Sequence, residues 1–195
     1  ERKMSNIGHS AARAVASKAI DVVLKNVDKN REEGVCKLID FMQKYMSEEK
    51  LDVNYDKARE MVCNKDGAFN KYINRVLDEV DPHVLKTMAL NLGFEAFMYG
   101  TKTIRKNREK YDCNVPWLIL MDPTSACNLH CTGCWAAEYG NRLNLTFDEM
   151  DKVVQQGKEL GTYLYMFTGG EPLVRKADLI KLCEKHNDCA FLSFT

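Results

Sequence analysis

From Val115 onward the apolar residues stop recurring at helical spacing and come in three short runs. These are Trp117-Leu-Ile-Leu-Met121, Thr162-Tyr-Leu-Tyr-Met-Phe-Thr168 and Ala190-Phe-Leu-Ser-Phe-Thr195. Each is short and rich in branched or aromatic residues, as buried strands are. A helix is predicted between the first two, with Thr146 as its cap and Glu149 completing a capping box. Leu145 and Met150 are placed as a hydrophobic staple, and Gly161 ends the helix. A second helix, about Lys176 to His186, separates the second and third runs. Strand, helix, strand, helix, strand implies parallel pairing through right-handed crossovers. Three parallel strands with a bare edge make an incomplete sheet, so the sequence is expected to be a piece of a longer protein.

Residues 1–112 read as helices throughout. Val35, Leu38, Ile39, Met42 and Met46 keep the helical period, and so do Phe69, Tyr72, Ile73, Val76, Leu77 and Val80. Asp81-Pro82 is a helix start, and the helix it opens carries Leu85, Met88, Ala89 and Leu92 on one face, with a kink or pause at Gly93 or Gly100. Gly34 and Asn64-Lys-Asp-Gly67 are candidate breaks between helices. The expected class is therefore α/β, with an all-helical domain over 1–112 and a strand-bearing domain over 113–195. The basic stretch Thr101–Tyr111 reads as cations complementing a helix C-terminus, ahead of a lipid-facing surface.

The 28 basic and 28 acidic residues balance, which points away from nucleic acid as a partner. The amino terminus has no apolar leader and no run approaches a membrane span, so no transmembrane segment and a cytoplasmic location are expected. Eight cysteines scattered partly through helical patterns fit reduced thiols better than a disulfide framework.

Three of these cysteines fall in one loop after the first strand, in Cys127-Asn-Leu-His-Cys131-Thr-Gly-Cys134. Three thiolates so close can hold three corners of an iron–sulfur cube and leave the fourth iron open to a small molecule. Cys-x3-Cys-x2-Cys is poor spacing for zinc. A ferredoxin-like electron carrier, with Cys113, Cys183 or Cys189 as fourth ligand, stays open at this level. Thr168-Gly169-Gly170-Glu171-Pro172 follows the second strand. Its two glycines permit close backbone approach to a ligand, and Glu171 adds a carboxylate able to pair with an amine. Parallel α/β sheets place their chemistry at the carboxyl ends of strands, where both motifs stand. His130 lies inside the loop, Asp122 and Glu138 flank it in solvated or capping roles, and His9, His83 and His186 read as surface or helix-end residues.

With these two motifs in one βα succession, residues 115–195 resemble the radical S-adenosylmethionine (radical SAM) superfamily. That resemblance implies the first three βα units of a partial, TIM-like (β/α)6 barrel. It implies a [4Fe–4S] cluster held by Cys127, Cys131 and Cys134. The methionine amine and carboxylate of SAM would bind the fourth iron, with Gly169, Gly170 and Glu171 matching the motif that contacts the methionine amine. The implied reaction is reductive cleavage of SAM to a 5′-deoxyadenosyl radical that attacks a small-molecule, peptide or lipid substrate. Electrons would come from a reductant such as flavodoxin or ferredoxin. The family's usual aromatic residue before the third cysteine is Gly133 here, with Trp135 just after it. In a second reading, the helical half recruits a partner or substrate and the metal-binding half is inert.

Overall fold

The computed structural model describes residues 2–26, 30–46, 54–134, 140 and 142–195, so Trp135 and Glu138 lie outside the described residues. The chain divides into two compact units, Glu1–Phe94 and Glu95–Thr195.

The first unit is helical: α1 (Arg2–Asn26), α2 (Arg31–Met46), α3 (Tyr55–Cys63), α4 (Ala68–Glu79) and α5 (Pro82–Met88). Ala16, Ile20 and Val23 of α1, Val62 of α3, and Leu90 and Phe94 form its buried apolar positions. The cap on α5 follows the expected chemistry, with Pro82 in the first turn and the Asp81 carboxylate accepting from the His83 N–H at 2.8 Å. Asn64–Gly67 does separate two helices. Gly34 does not, since it lies inside α2. Its missing side chain serves packing instead, because a Cβ there would stand 3.4 Å from Val23 Cγ1 of α1. The periodic stripe on α4 is only partly covered, with Phe69 and Tyr72 exposed. The pause expected near Gly93 and Gly100 takes the form of a widened π-helical segment, Ala89–Gly100.

The second unit contains α6 (Thr101–Tyr111), β1 (Leu118–Met121), α7 (Phe147–Leu160), β2 (Leu164–Phe167), a 3₁₀ turn (Pro172–Arg175), α8 (Lys176–Lys185) and β3 (Ala190–Ser193). The strands pair in parallel in the order β1-β2-β3, with Leu118 opposite Leu164 and Leu164 opposite Ala190. The local signals that predict α7 are present: Thr146 and Glu149 form the reciprocal capping box, and Gly161 ends the helix at φ 103°, a left-handed conformation that suits glycine. Asn107 of α6 donates to the carbonyls of Glu159 and Leu160 at 3.2 and 3.1 Å, satisfying the open end of α7. Met150, Val154, Tyr165, Phe167 and Leu182 fill the core between the sheet and its helices.

His186 does stand at a helix end, as the C-cap of α8, but it is buried there, 4% exposed. Its Nε2 lies 2.8 Å from Asp151 Oδ1, and Lys185 Nζ donates to Asp151 Oδ2 at 2.8 Å. The pairing of α7 with α8 therefore includes a partly desolvated charge cluster that spacing within a single helix cannot reveal. Burial raises the Asp151 carboxyl, but the hydrogen bonds from Lys185 and His186 outweigh it and hold the carboxyl below its ordinary range. A carboxyl depressed by folding contributes stability that is full above its unfolded value and is lost as pH falls through the folded value. Urea midpoints of the wild type should thus fall more steeply between about pH 5 and pH 2 than those of Asp151→Asn. Parallel curves would show that the cluster contributes no linkage.

Candidate functional site

Beyond the carboxyl ends of β1 and β2, three stretches of chain lie side by side. Residues 123–126 form the middle one. On one side Ser125 N–H donates to Leu143 O at 2.7 Å, Leu145 N–H donates to Pro123 O at 3.1 Å, and Thr124 pairs with Asn144 through an antiparallel bridge. The Thr124 hydroxyl also donates to Asn144 Oδ1 at 2.6 Å and accepts from the Ala126 N–H at 3.0 Å. On the other side Gly170 N–H reaches Thr124 O and Glu171 N–H reaches Ala126 O, both at 2.9 Å. The Gly-Gly-Glu turn is thereby joined to the residue immediately before Cys127.

Both glycines are sterically required. Gly169 adopts φ 102°, and a Cβ on it would fall 2.8 Å from Asp122 Cβ. A Cβ on Gly170 would fall 2.2 Å from Ala126 O. Glu171 is 6% exposed, and its Oε1 accepts from the Leu173 N–H at 2.9 Å, capping the 3₁₀ turn. That bond engages one carboxylate oxygen. The strands and turns enclose a cleft of about 500 Å³ whose lining includes Asp122, Ser125, Arg142, Leu143, Gly169 and Gly170. Asp122 thus sits at the cleft rather than merely beside the loop, and Arg142 places a cation there.

Arg175 was not singled out by the sequence. Its guanidinium donates to Pro123 O at 3.3 Å and Leu145 O at 2.9 Å, and Asp178 holds it through Nε and Nη2 at 2.9 and 2.6 Å. One side chain therefore pins two of the three stretches. An Arg three residues before an Asp at a helix start was the available signal, but its carbonyl targets are set only by the fold.

Cys127, Cys131 and Cys134 are exposed free thiols, and His130 is exposed among them. The Leu129 N–H donates to Cys127 Sγ at 3.4 Å, and the Cys134 N–H donates to Cys131 O at 3.3 Å. Among the described residues no three His, Cys, Asp or Glu side chains converge as a metal-holding group, so the thiols share a loop without sharing a point. As a donor set they fit an iron–sulfur cluster: three accessible sulfurs within eight residues, one already receiving a main-chain N–H. Of the other cysteines, Cys113 precedes β1 and Cys189 precedes β3, at the opposite end of the parallel sheet from this loop. Cys189 is buried, which with the nearby Asp188 carboxylate pushes its thiol well above the ordinary range.

Residues 121–192 match the radical SAM superfamily, a family that uses a [4Fe–4S] cluster and S-adenosylmethionine. The chain is 33% identical over 84 residues to a GTP 3',8-cyclase of Clostridium perfringens, covering 40% of this chain and 26% of that protein. It is 36% identical over 76 residues to the PqqA peptide cyclase of Bradyrhizobium diazoefficiens, covering 38% of this chain and 20% of that protein. The chain thus matches about a quarter or less of the length of these curated relatives. No solved structure matches significantly. Among the described residues no helix is long and apolar enough to cross a membrane.

Proposed function

We propose that this radical SAM segment is the cluster- and SAM-binding part of an enzyme, with Cys127, Cys131 and Cys134 as the iron ligands and Gly169, Gly170 and Glu171 at the methionine end of SAM. The observation that supports this most is the main-chain pairing of Gly170 and Glu171 with Thr124 and Ala126, which joins the Gly-Gly-Glu turn to the residue before Cys127, about forty residues away in sequence. When bound, the cluster and SAM supply one-electron cleavage chemistry whose radical product abstracts hydrogen from a substrate.

The chain's own contribution is positional. Gly169 and Gly170 keep the wall free of side-chain bulk, and Arg175 holds the stretch that leads into the cysteine loop. The Glu171 oxygen outside the Leu173 bond is the acceptor proposed for the amine. We read the three strands as the first three of a (β/α)6 barrel. A low-potential carrier such as flavodoxin or ferredoxin is the proposed reductant in a cytoplasmic setting. The two relatives are named for a nucleotide and a peptide, so similarity supports a reaction class and no particular substrate. Cys113 and Cys189, at the far end of the sheet, and Cys183, near the C-terminal end of α8, lend no support to a four-cysteine electron carrier.

Anaerobic reconstitution tests the reading. About four irons and four sulfides per chain are expected, with an EPR spectrum of the reduced protein that changes when SAM is added. The combined Cys127→Ala, Cys131→Ala, Cys134→Ala variant should lose both signals. Zinc in place of iron, or iron retained by that variant, would overturn the assignment.

A further inference from the structure

We propose that Cys36 and Cys63 form a redox modification site, a dithiol that closes to an intramolecular disulfide on meeting a small-molecule disulfide of the oxidised-glutathione class. The site lies wholly within the helical unit and is independent of the reading of residues 121–192.

The two sulfurs stand 3.8 Å apart, on α2 and at the last residue of α3. Their juxtaposition is set by the register of two antiparallel helices. One turn further along α2, Asp40 Oδ1 accepts from Arg59 Nε at 3.0 Å and Nη2 at 2.7 Å, and Arg59 is one turn before Cys63. One turn the other way, Glu32 pairs with Lys65 at 3.6 Å. Cys36 and Cys63 are the middle rung of this ladder, so rotation of side chains is the main motion needed to reach the bonded sulfur separation of about 2.05 Å.

The surroundings assign the two thiols different parts. Cys63 is exposed and Cys36 is half-buried, so an incoming disulfide meets Cys63 first. Burial, and then the Cys63 thiol itself, push the Cys36 thiol up, which suits the second, resolving step better than the first. In the first step the Cys63 thiolate attacks one sulfur of oxidised glutathione, that S–S bond breaks, and one glutathione thiolate leaves. In the second, Cys36 loses its proton and attacks Cys63 Sγ, expelling the second glutathione thiolate. Two protein thiols are oxidised, one glutathione disulfide is reduced, and the two thiol protons pass to the departing thiolates.

The test uses the full chain, reduced, held without oxygen and then exposed to oxidised glutathione, alkylated and digested with trypsin. Cleavage after Arg31, Lys37, Arg59 and Lys65 places the two cysteines in peptides 32–37 and 60–65. The linked pair should be at least about tenfold more abundant than any other cysteine link, and dithiothreitol should reverse it. Cys36→Ser should stop at the glutathione adduct on Cys63. Cys63→Ser, a change at an exposed position that spares the packing, should leave Cys36 unlinked. A wild-type chain that stops at an adduct on Cys63, keeps both thiols alkylatable, or links Cys36 elsewhere would overturn the proposal.

Discussion

Gly170→Ala should weaken SAM binding by the cluster-loaded protein roughly 5- to 150-fold. The added methyl would stand 2.2 Å from Ala126 O and 2.7 Å from Ala126 C, and both are main-chain atoms with no rotamer to yield. Relief requires the Gly-Gly-Glu turn to separate from residues 124–126, and overpacking of this kind costs about 1–3 kcal/mol, which as binding energy is the range just stated. The hydrogen bonds from Gly170 and Glu171 would lengthen together, and the turn would lose its register on residues 124–126. SAM titrations of the reconstituted protein, followed by EPR, measure the effect. Gly93→Ala is the control, since a Cβ there meets nothing within 4 Å. Wild-type SAM affinity in Gly170→Ala would mean that close backbone approach is not what the turn supplies.

The second large effect falls on the core. Tyr165 is fully buried in the middle strand, and its hydroxyl lies 3.1 Å from Val154 O and 2.9 Å from Thr162 O. Burial, foremost, pushes this hydroxyl well above the ordinary tyrosine range, so it stays protonated as a donor. Tyr165→Ala should destabilise the protein by about 3–5 kcal/mol through the cavity it leaves, a large share of the total stability of a typical domain. Tyr165→Phe retains the ring and removes the single O–H donor that the Val154 and Thr162 carbonyls share, at a cost of about 1–3 kcal/mol. Urea denaturation followed by circular dichroism separates them. Equal losses in the two variants would place the anchor in the hydroxyl rather than in the ring.

What could be read from the sequence was local. The Thr146–Glu149 box, the Asp81-Pro82 start and the Gly161 stop depend on residues within one turn of each other, so their chemistry is written contiguously. The three strands were legible because short aromatic and branched runs have few other uses. The two motifs could be assigned to strand ends for the same reason. Partners from distant segments were not legible. His186 read as a surface or helix-end residue; it does end α8, but nothing near it in the chain shows that Asp151 waits on α7 to bury it. Gly34 read as a break because its real constraint, Val23, belongs to another helix. Arg175 passed unnoticed because its targets are carbonyls, which every residue has. The π-helical course of Ala89–Gly100 likewise had no sequence signature beyond its glycines.

The order β1-β2-β3 also has a kinetic consequence. Among the described residues each strand pairs only with its neighbour in sequence, so these three strands can assemble by successive crossovers without a long-range return. The wall of the cleft, however, is shared between the ends of the first two strands. Until β2 docks, the Thr124 and Ala126 carbonyls lack the N–H groups of Gly170 and Glu171 that they accept from. The cleft is therefore completed in the same step that pairs the first two strands, and a chain stalled before that step carries all three thiols on a loop with no wall beside it.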